Sequence, residues 1–175
     1  MMQKYYVIFD TNVIVSMLLS SDINSYPMQL MNYIYDGIIT PVFSNEILNE
    51  YKEVLSRDKF PFTKKMVGDL INYIKKLGIN IEPQKLEIEF EDYDDLVFYE
   101  VLMTKDKHEK KLVTGNIKHF PKQVNIMTPK EMVELIKTPW VRLKRYINNL
   151  IIYLFWVVIY LFICRSKCTI VTINI

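Results

Sequence analysis

The first 137 residues alternate between short continuous apolar runs and stretches in which apolar residues recur every three or four positions. Continuous runs such as Tyr5–Phe9 are typical of strands buried in a parallel sheet, and the wider spacing is typical of amphipathic helices. The runs predict strands over 5–9, 38–43, 111–114 and 124–127. The wider spacing predicts helices over 13–19, 27–35, 45–55, 63–77 and 129–136, and one that follows the acidic stretch 87–95 and ends near Met103. Strands that alternate with helices indicate an α/β, three-layer fold with a mainly parallel central sheet.

Capping residues mark the ends of several predicted helices. Ser44 precedes one helix, and Gly78 follows the helix that begins at Thr63. The quartet Thr-Pro-Lys-Glu at 128–131 is a capping box with proline at the first helical position. Pro41 lies inside a predicted strand, and because proline donates no backbone hydrogen bond it predicts an edge position or an early end of that strand.

Polar side chains follow the predicted strands at the edge where ligands bind in open α/β sheets. Asp10 follows the first strand, Glu46 comes shortly after the second, and Asn116 follows the strand over 111–114. Taken singly, Asp10 could be a helix N-cap, and Glu46 could be an acid in a first helical turn, which the helix dipole favours. Because these strand ends meet at one edge of the sheet, we expect the polar side chains to converge.

A further cluster of acids precedes the helix that ends near Met103. Asp92, Asp94 and Asp95 are more than helix capping needs, and like charges so close repel one another. Carboxylates from three helix starts, gathered above one sheet, form an oxygen site suited to Mg²⁺ or Mn²⁺. A zinc site is not supported, because the two histidines are isolated and both cysteines lie after residue 139.

Two chemistries use an aspartate at the end of the first strand. Phosphatases of the haloacid-dehalogenase type need a second Asp two residues later as an acid–base group, and here that position is Asn12, which cannot transfer a proton. Metal-assisted hydrolysis of a phosphodiester needs the acids only as ligands. The sequence therefore favours the second chemistry.

Five segments in order resemble the PIN domain, and in particular the toxin components of toxin–antitoxin systems, the VapC-like ribonucleases. They are FDTNV at 9–13, SNEILNEYKEVL at 44–55, DYDDLVFYEVL at 92–102, LVTGNIKHFP at 112–121 and MTPKEMVELI at 127–136. The resemblance covers nearly all of residues 1–137. It implies a PIN-like three-layer α/β fold and a hydrolase that cleaves RNA with Mg²⁺ or Mn²⁺ as cofactor. It also implies a small antitoxin as partner, in a type II toxin–antitoxin pair.

Carried over residue by residue, the resemblance implies Asp10, Glu46 and Asp95 as metal ligands and catalytic residues, with Asn116 as a fourth catalytic position. Many members of the family have Asp where this chain has Asn116, and the neutral side chain leaves a second metal site in doubt. The alignment of this segment with the family leaves open which of Asp92, Asp94 and Asp95 is the metal ligand.

The composition changes sharply after residue 139, which separates a predicted nuclease domain, 1–137, from a basic and hydrophobic tail, 138–175. Residues 140–175 carry five Lys or Arg and no Asp or Glu. Within the tail, 146–164 is an uncharged stretch of 19 residues flanked by basic residues. As a helix it would span about 28 Å, which is close to the thickness of a membrane's hydrocarbon core. Three interpretations stay open for the tail: a membrane anchor, a non-native extension, or a segment that docks on the domain or on a partner.

These observations predict a cytoplasmic protein, with or without a membrane anchor at 146–164. The predicted partners are an RNA substrate, a small antitoxin, a second copy of the chain in a homodimer, and a membrane contacted through that segment. Two other functions stay open. One is a catalytically weak PIN-like module that binds RNA or an antitoxin, and the other is a membrane-anchored regulatory protein.

Overall fold

The computed structural model describes residues 4–90 and 92–138, in which strands and helices alternate as the hydrophobic pattern predicts. The strands are β1 (Tyr5–Phe9), β2 (Ile39–Phe43), β3 (Ile79–Asn80), β4 (Lys110–Val113) and β5 (Ile126–Met127). The helices are α1 (Thr11–Leu19), α2 (Tyr26–Tyr35), α3 (Asn45–Leu55), α4 (Lys64–Leu77), α5 (Tyr93–Met103) and α6 (Pro129–Lys137), and a short 3₁₀ turn covers Ile117–His119. Lys4–Ile136 forms one compact unit.

All the strand pairs of the described sheet are parallel, in the order β3-β2-β1-β4-β5. The central strand, β1, is covered on both faces, and its Val7, Ile8 and Phe9 are almost completely buried. The chain first builds outward from β1 through β2 to β3, and then returns to the opposite side of β1 with β4 and β5. The order therefore reverses between β1 and β4, which is the place where open α/β sheets bind ligands.

Two elements differ from the predicted pattern because they are very short. β3 has only two residues and leaves no hydrophobic run that could be recognised in the sequence. The strand predicted over 124–127 is reduced to Ile126–Met127, and Val124 is 91 % exposed. Strands of two residues are held by their neighbours in the sheet rather than by a periodic pattern of their own.

The prediction that Pro41 marks an edge strand or an early strand end is wrong. β2 lies inside the sheet between β1 and β3, and it continues past Pro41 to Phe43. The carbonyl group of Phe43 faces β3, where it accepts a hydrogen bond from the Ile81 N–H (2.8 Å). Residues two apart in a strand point their backbone groups to the same side, so the nitrogen of Pro41 also faces β3. β3 pairs only with Val42 and Phe43, so no ladder bond is lost at the proline.

The predicted capping residues are confirmed, and they fix where the helices begin. The Ser44 hydroxyl accepts a hydrogen bond from the Ile47 N–H (3.2 Å), and Thr63 caps α4 in the same way. At the start of α6, the Thr128 hydroxyl and the Glu131 carboxylate exchange hydrogen bonds with each other's backbone N–H, which completes the capping box. Local sequence therefore determines these helix starts directly.

Tyr51 ties α3 to the end of β1 and so positions the loop that follows β1. Its hydroxyl donates a hydrogen bond to the carbonyl of Phe9, the last residue of β1. Its ring packs on Phe98 of α5, with ring centroids 6.4 Å apart. Both side chains are completely or almost completely buried. This contact brings the second turn of α3, the start of α1 and α5 together at the carboxyl end of β1.

Gly78 is required where α4 ends against β2, and Gly78→Ala is expected to destabilise the protein by about 2 kcal/mol or more. A Cβ at residue 78 would lie 2.5 Å from the Pro41 carbonyl oxygen and 2.9 Å from the ring of Phe43. This overlap can be relieved only if the backbone of α4 or β2 moves, and such movements are costly in a packed core. Urea unfolding of wild type and variant measures the difference in the free energy of unfolding.

Gly68→Ala is the matched control for this substitution. Gly68 lies inside α4, and a Cβ there would meet no atom within 4 Å. Alanine is favoured over glycine in a helix interior, so this variant should be more stable than wild type by about 0.5–1 kcal/mol. Equal effects of the two substitutions would contradict the close approach of α4 to β2.

The predicted tail, 138–175, and the membrane segment at 146–164 lie outside the described residues, apart from Thr138. Within residues 4–90 and 92–138, the helices are too short or too polar to cross a lipid bilayer.

Candidate active site

Asp10 is held rigidly at the reversal point of the sheet. The residue is only 2 % exposed, and it follows the last residue of β1. One carboxylate oxygen accepts a hydrogen bond from the Asn12 N–H (2.9 Å), so Asp10 does cap α1. The other accepts a hydrogen bond from the hydroxyl of Thr114, which follows β4 (2.5 Å). With a donor on each oxygen, the carboxylate has a single orientation across the junction of β1 and β4.

Glu50 brings a second carboxylate to the same place from the second turn of α3. Its Oε1 accepts a hydrogen bond from the hydroxyl of Thr11, the residue after Asp10 (2.5 Å). The pKa of Glu50 is raised from 4.5 to about 7, mainly by burial and also by the negative charges of Asp10, Asp95 and Asp94, against the opposing effect of the Thr11 hydrogen bond. Glu50 therefore resists ionisation because it is partly buried and lies among other acids.

The first turn of α5 supplies the third group of acids. Asp92 caps this helix by accepting a hydrogen bond from the Asp94 N–H (3.0 Å). Asp95 contacts the His119 ring, with 2.8 Å between carboxylate oxygen and Nδ1. Burial raises the pKa of Asp95, and the charges of Asp10 and Asp92 act in the same direction, while the contact with His119 lowers it. Asp92, Asp95 and His119 each offer a ligand atom, and these atoms lie within 4.8 Å of one another.

The side chains of Asp10, Glu50, Asp92 and Asp95 line an open cavity of about 440 Å³ at the carboxyl end of β1. Its acidic lining residues are Asp10, Glu50, Glu53, Asp92, Asp94 and Asp95. Among the described residues that line it, only Arg57 and Lys59 are basic. Six carboxyl groups against two cations leave a strong excess of negative charge when the acids are ionised.

The structure places two of the four predicted site residues in this cavity, Asp10 and Asp95. Glu46 does not line it: its side chain is 52 % exposed, and it forms an ion pair with Lys85 (2.7 Å). Asn116 is exposed and borders a separate depression beside His119. Its backbone N–H donates a hydrogen bond to the Thr114 hydroxyl (2.9 Å), so its link to the cavity is through Thr114 and Asp10.

Glu50 is an acid of the cavity that the sequence pattern did not predict. It lies four residues after Glu46 in the same helix and directly precedes the buried Tyr51. Its position beside the apolar stripe of α3 could have indicated its role, because an acid at the edge of that stripe borders the core and not the solvent.

The charge of Glu50 is expected to make the stability of the metal-free protein depend on pH. In the unfolded chain Glu50 ionises near its ordinary pKa of 4.5, whereas in the folded protein its pKa is about 7. Between these values the folded state binds more protons, so stability falls as the pH rises through this window and levels off above it. The loss is on the order of 2 kcal/mol after solvent screening.

Thermal melts of the metal-free protein from pH 4.5 to 8 measure this dependence. Glu50→Gln carries no titrating group at this position and should flatten the curve and stabilise the protein at pH 8. A wild-type melting temperature that stays constant or rises over this window would contradict the placement of Glu50 among the acids.

The donor set fits a hard divalent cation. Asp10 shares the cavity with five other acidic side chains, and carboxylates are the ligands that Mg²⁺ and Mn²⁺ prefer. Two of them, Glu50 and Asp95, have a raised pKa because of burial and of the neighbouring acids. A bound cation would remove this repulsion, and the residues present are therefore suited to hold one.

A comparison with models of protein families identifies the family to which this chain is similar. A family model described as the PIN domain matches residues 6–118, which include Asp10, Glu50 and Asp95. The searches of curated proteins and of solved structures give no significant match. The matched range contains β2, β3, β4 and all of β1 except Tyr5, and it confirms the resemblance at the level of the family. Because the match covers well over half of its length, the chain belongs to the PIN domain family, whose members are generally nucleases.

Proposed function

We propose that the protein is an endoribonuclease that hydrolyses RNA phosphodiester bonds with Mg²⁺ or Mn²⁺ held by Asp10, Glu50 and Asp95. The observation that supports it best is the convergence of three acids from three elements on one cavity at the reversal point of the sheet. Each has a partner that orients it: Thr114 for Asp10, Thr11 for Glu50 and His119 for Asp95. Oriented ligands are what a catalytic metal site requires.

A bound cation would lower the pKa of a water molecule and stabilise the charge that develops on the phosphate. The protein's own contribution is to present three carboxylates in fixed positions. Asn12 and Thr114 hold both oxygens of the Asp10 carboxylate, so its orientation is fixed by the protein itself. Asp92 and Asp94 add negative charge at the mouth of the cavity, where they favour the entry of a cation.

The choice of Glu50 instead of Glu46 follows from what each carboxylate touches. Glu46 is neutralised by Lys85, which also contacts the buried Glu100 (3.1 Å). Because Glu46 does not line the cavity, it is a poorer candidate than Glu50 for a ligand of a cation held by Asp10 and Asp95. Glu50 has no cationic partner among the described residues and lies among the negative charges of Asp10, Asp95 and Asp94.

We further propose that the protein is the toxin of a type II toxin–antitoxin pair. This proposal rests on the resemblance of its five sequence segments to VapC-like ribonucleases. The cavity supports a specific mode of inhibition, because its six acids are complementary to a basic side chain of a small antitoxin. Such a side chain would occupy the space that a cation needs. Co-purification of the chain with a small basic protein tests this partner.

A second candidate is a PIN-like module that binds RNA or an antitoxin but cleaves weakly. The observation that favours it is Asn116, a neutral residue that is exposed and lies outside the cavity lining. If catalysis requires a fourth carboxylate there, this chain lacks it.

Cleavage of an end-labelled single-stranded RNA separates the two candidates. The nuclease should produce fragments in Mg²⁺ or Mn²⁺ and none in excess chelator, and the divalent cation should also raise the melting temperature of the protein. A protein whose melting temperature rises with the cation but which leaves the RNA intact would be the binding module. Cleavage that continues unchanged in chelator would refute the metal-dependent mechanism.

A further inference from the structure

We infer that four residues on one side of the cavity, Arg57, Lys59, Phe60 and Tyr93, form a binding surface for single-stranded RNA. We call these residues the basic-aromatic rim. The inference rests on the proposed nuclease function and names the part of the molecule that holds the substrate.

Charge is the first argument for the rim. A polynucleotide brings a phosphate for every nucleotide, and the six acids of the cavity repel each of them. The only basic side chains among its described lining residues are Arg57 and Lys59, which follow α3 in the connection to α4. This connection is therefore the side of the cavity along which RNA would approach the acids, because the phosphates on either side of the cleaved bond find cations there.

Both cations are available to a ligand. Arg57 contacts Glu53 (3.1 Å), but both side chains are at least half exposed, and an exposed ion pair of this kind contributes little. Lys59 makes no ion pair in the part of the chain that the structure describes. Its ammonium lies 4.9 Å from the centroid of the Phe60 ring. Exchange of these contacts for a phosphate therefore costs little.

Aromatic exposure is the second argument. Tyr93 lies at the start of α5, between the acidic residues Asp92 and Asp94. It lines the cavity, and the residue is 69 % exposed. Phe60 also lines the cavity, and it stacks on Phe62 with 5.6 Å between ring centroids. The exposed ring of Tyr93 contributes little to the core, whereas a base that has left its own stack can pack on it.

Two aromatic rings beside two cations favour the binding of single-stranded RNA over that of an RNA duplex. In a duplex the bases are stacked on one another, so their faces are not accessible to Phe60 and Tyr93. A single strand can offer its bases to the rings and its phosphates to Arg57 and Lys59 at the same time. The rim thus explains how a substrate is held beside acids that repel it.

Binding of a fluorescent ten-nucleotide single-stranded RNA to the full chain tests this inference. Fluorescence anisotropy is recorded in Ca²⁺, which occupies oxygen sites, and a gel verifies that the RNA stays intact. We expect Tyr93→Leu and Phe60→Leu each to weaken binding by about tenfold. Lys59→Gln should weaken it and reduce the slope of log affinity against log salt by about 0.7. The RNA duplex should bind at least about tenfold more weakly than the single strand.

Tyr35→Leu and Lys75→Gln are the matched controls. Tyr35 is 80 % exposed and Lys75 is exposed on α4, and neither lines the cavity. They should leave the affinity unchanged, and thermal melts should show that all variants are folded. Rim variants that bind like wild type, or a duplex that binds as tightly as the single strand, would overturn the inference. Because binding is measured without cleavage, an inactive protein whose rim variants lose affinity would refute the nuclease proposal and not the rim.

Discussion

Asp10→Asn is expected to lower the rate of metal-dependent RNA cleavage by about 10³-fold, with little change in the stability of the metal-free protein. A neutral amide is a far poorer ligand for Mg²⁺ than a carboxylate, and the loss corresponds to several kcal/mol of transition-state stabilisation. The amide oxygen can still accept the hydrogen bond from the Asn12 N–H that caps α1. The other position becomes the amide NH₂ group, so the contact with Thr114 reverses: the amide donates a neutral hydrogen bond to the hydroxyl oxygen, which is the donor when residue 10 is Asp.

Removing one of several crowded negative charges compensates for part of that change. Rates of RNA cleavage in excess Mg²⁺ and melting temperatures in chelator measure the two effects separately. Asp69→Asn is the control, because Asp69 is 64 % exposed and contacts only Lys65 of its own helix among the described residues. An Asp10→Asn variant that cleaves RNA at the wild-type rate would refute the proposed metal site.

Glu50→Gln is expected to lower cleavage by at least about 100-fold, whereas Glu46→Gln should leave the rate within about twofold of wild type. The two substitutions make the same chemical change in the same helix, four residues apart. Glu50 faces Asp10 and Asp95 in the cavity, while Glu46 is paired with Lys85 outside it. The different effects of the two substitutions would therefore follow from location alone.

Melting in chelator and in excess Mg²⁺ gives an independent measurement on the same pair. Wild type and Glu46→Gln should gain stability from Mg²⁺, and Glu50→Gln should gain much less. If Glu46→Gln is the variant that loses cleavage and the response to Mg²⁺, then Glu46 is a ligand as the sequence resemblance implies. Lys85 would in that case have to release its carboxylate when a cation binds.

Local chemistry in the sequence was sufficient to predict most of the fold. The apolar run Tyr5–Phe9 is the buried central strand, since only a strand covered on both faces has no polar position. Ser44, Thr63 and the quartet at 128–131 begin their helices as predicted, because a capping side chain satisfies the free N–H groups of the first turn within its own segment. Asp10 and Asp95 also meet as predicted, because each lies where a strand or helix end points at the same edge of a parallel sheet.

The path of α3 across the sheet was decided only by tertiary structure. Glu46 and Glu50 are both acids on one side of an amphipathic helix, and their spacing cannot tell which of them reaches the cavity. The Tyr51 hydroxyl on the Phe9 carbonyl places the second turn of α3, and not the first, over the end of β1. Glu46 is left beside Lys85, which comes from a segment 39 residues away in the chain.

The sequence by itself therefore determined the order and type of the helices α1–α6 and of every strand but β3, the capped helix starts, and the edge of the sheet at which Asp10 and Asp95 meet. These features depend on interactions between residues close in the chain, which a periodic pattern or a capping residue reveals. The position of β2 inside the sheet despite Pro41, the two-residue β3 and the identity of the acid on α3 were decided only by tertiary structure. Each of these depends on a contact between distant segments, and the position of a residue in its own helix or strand does not determine which segment will lie against it.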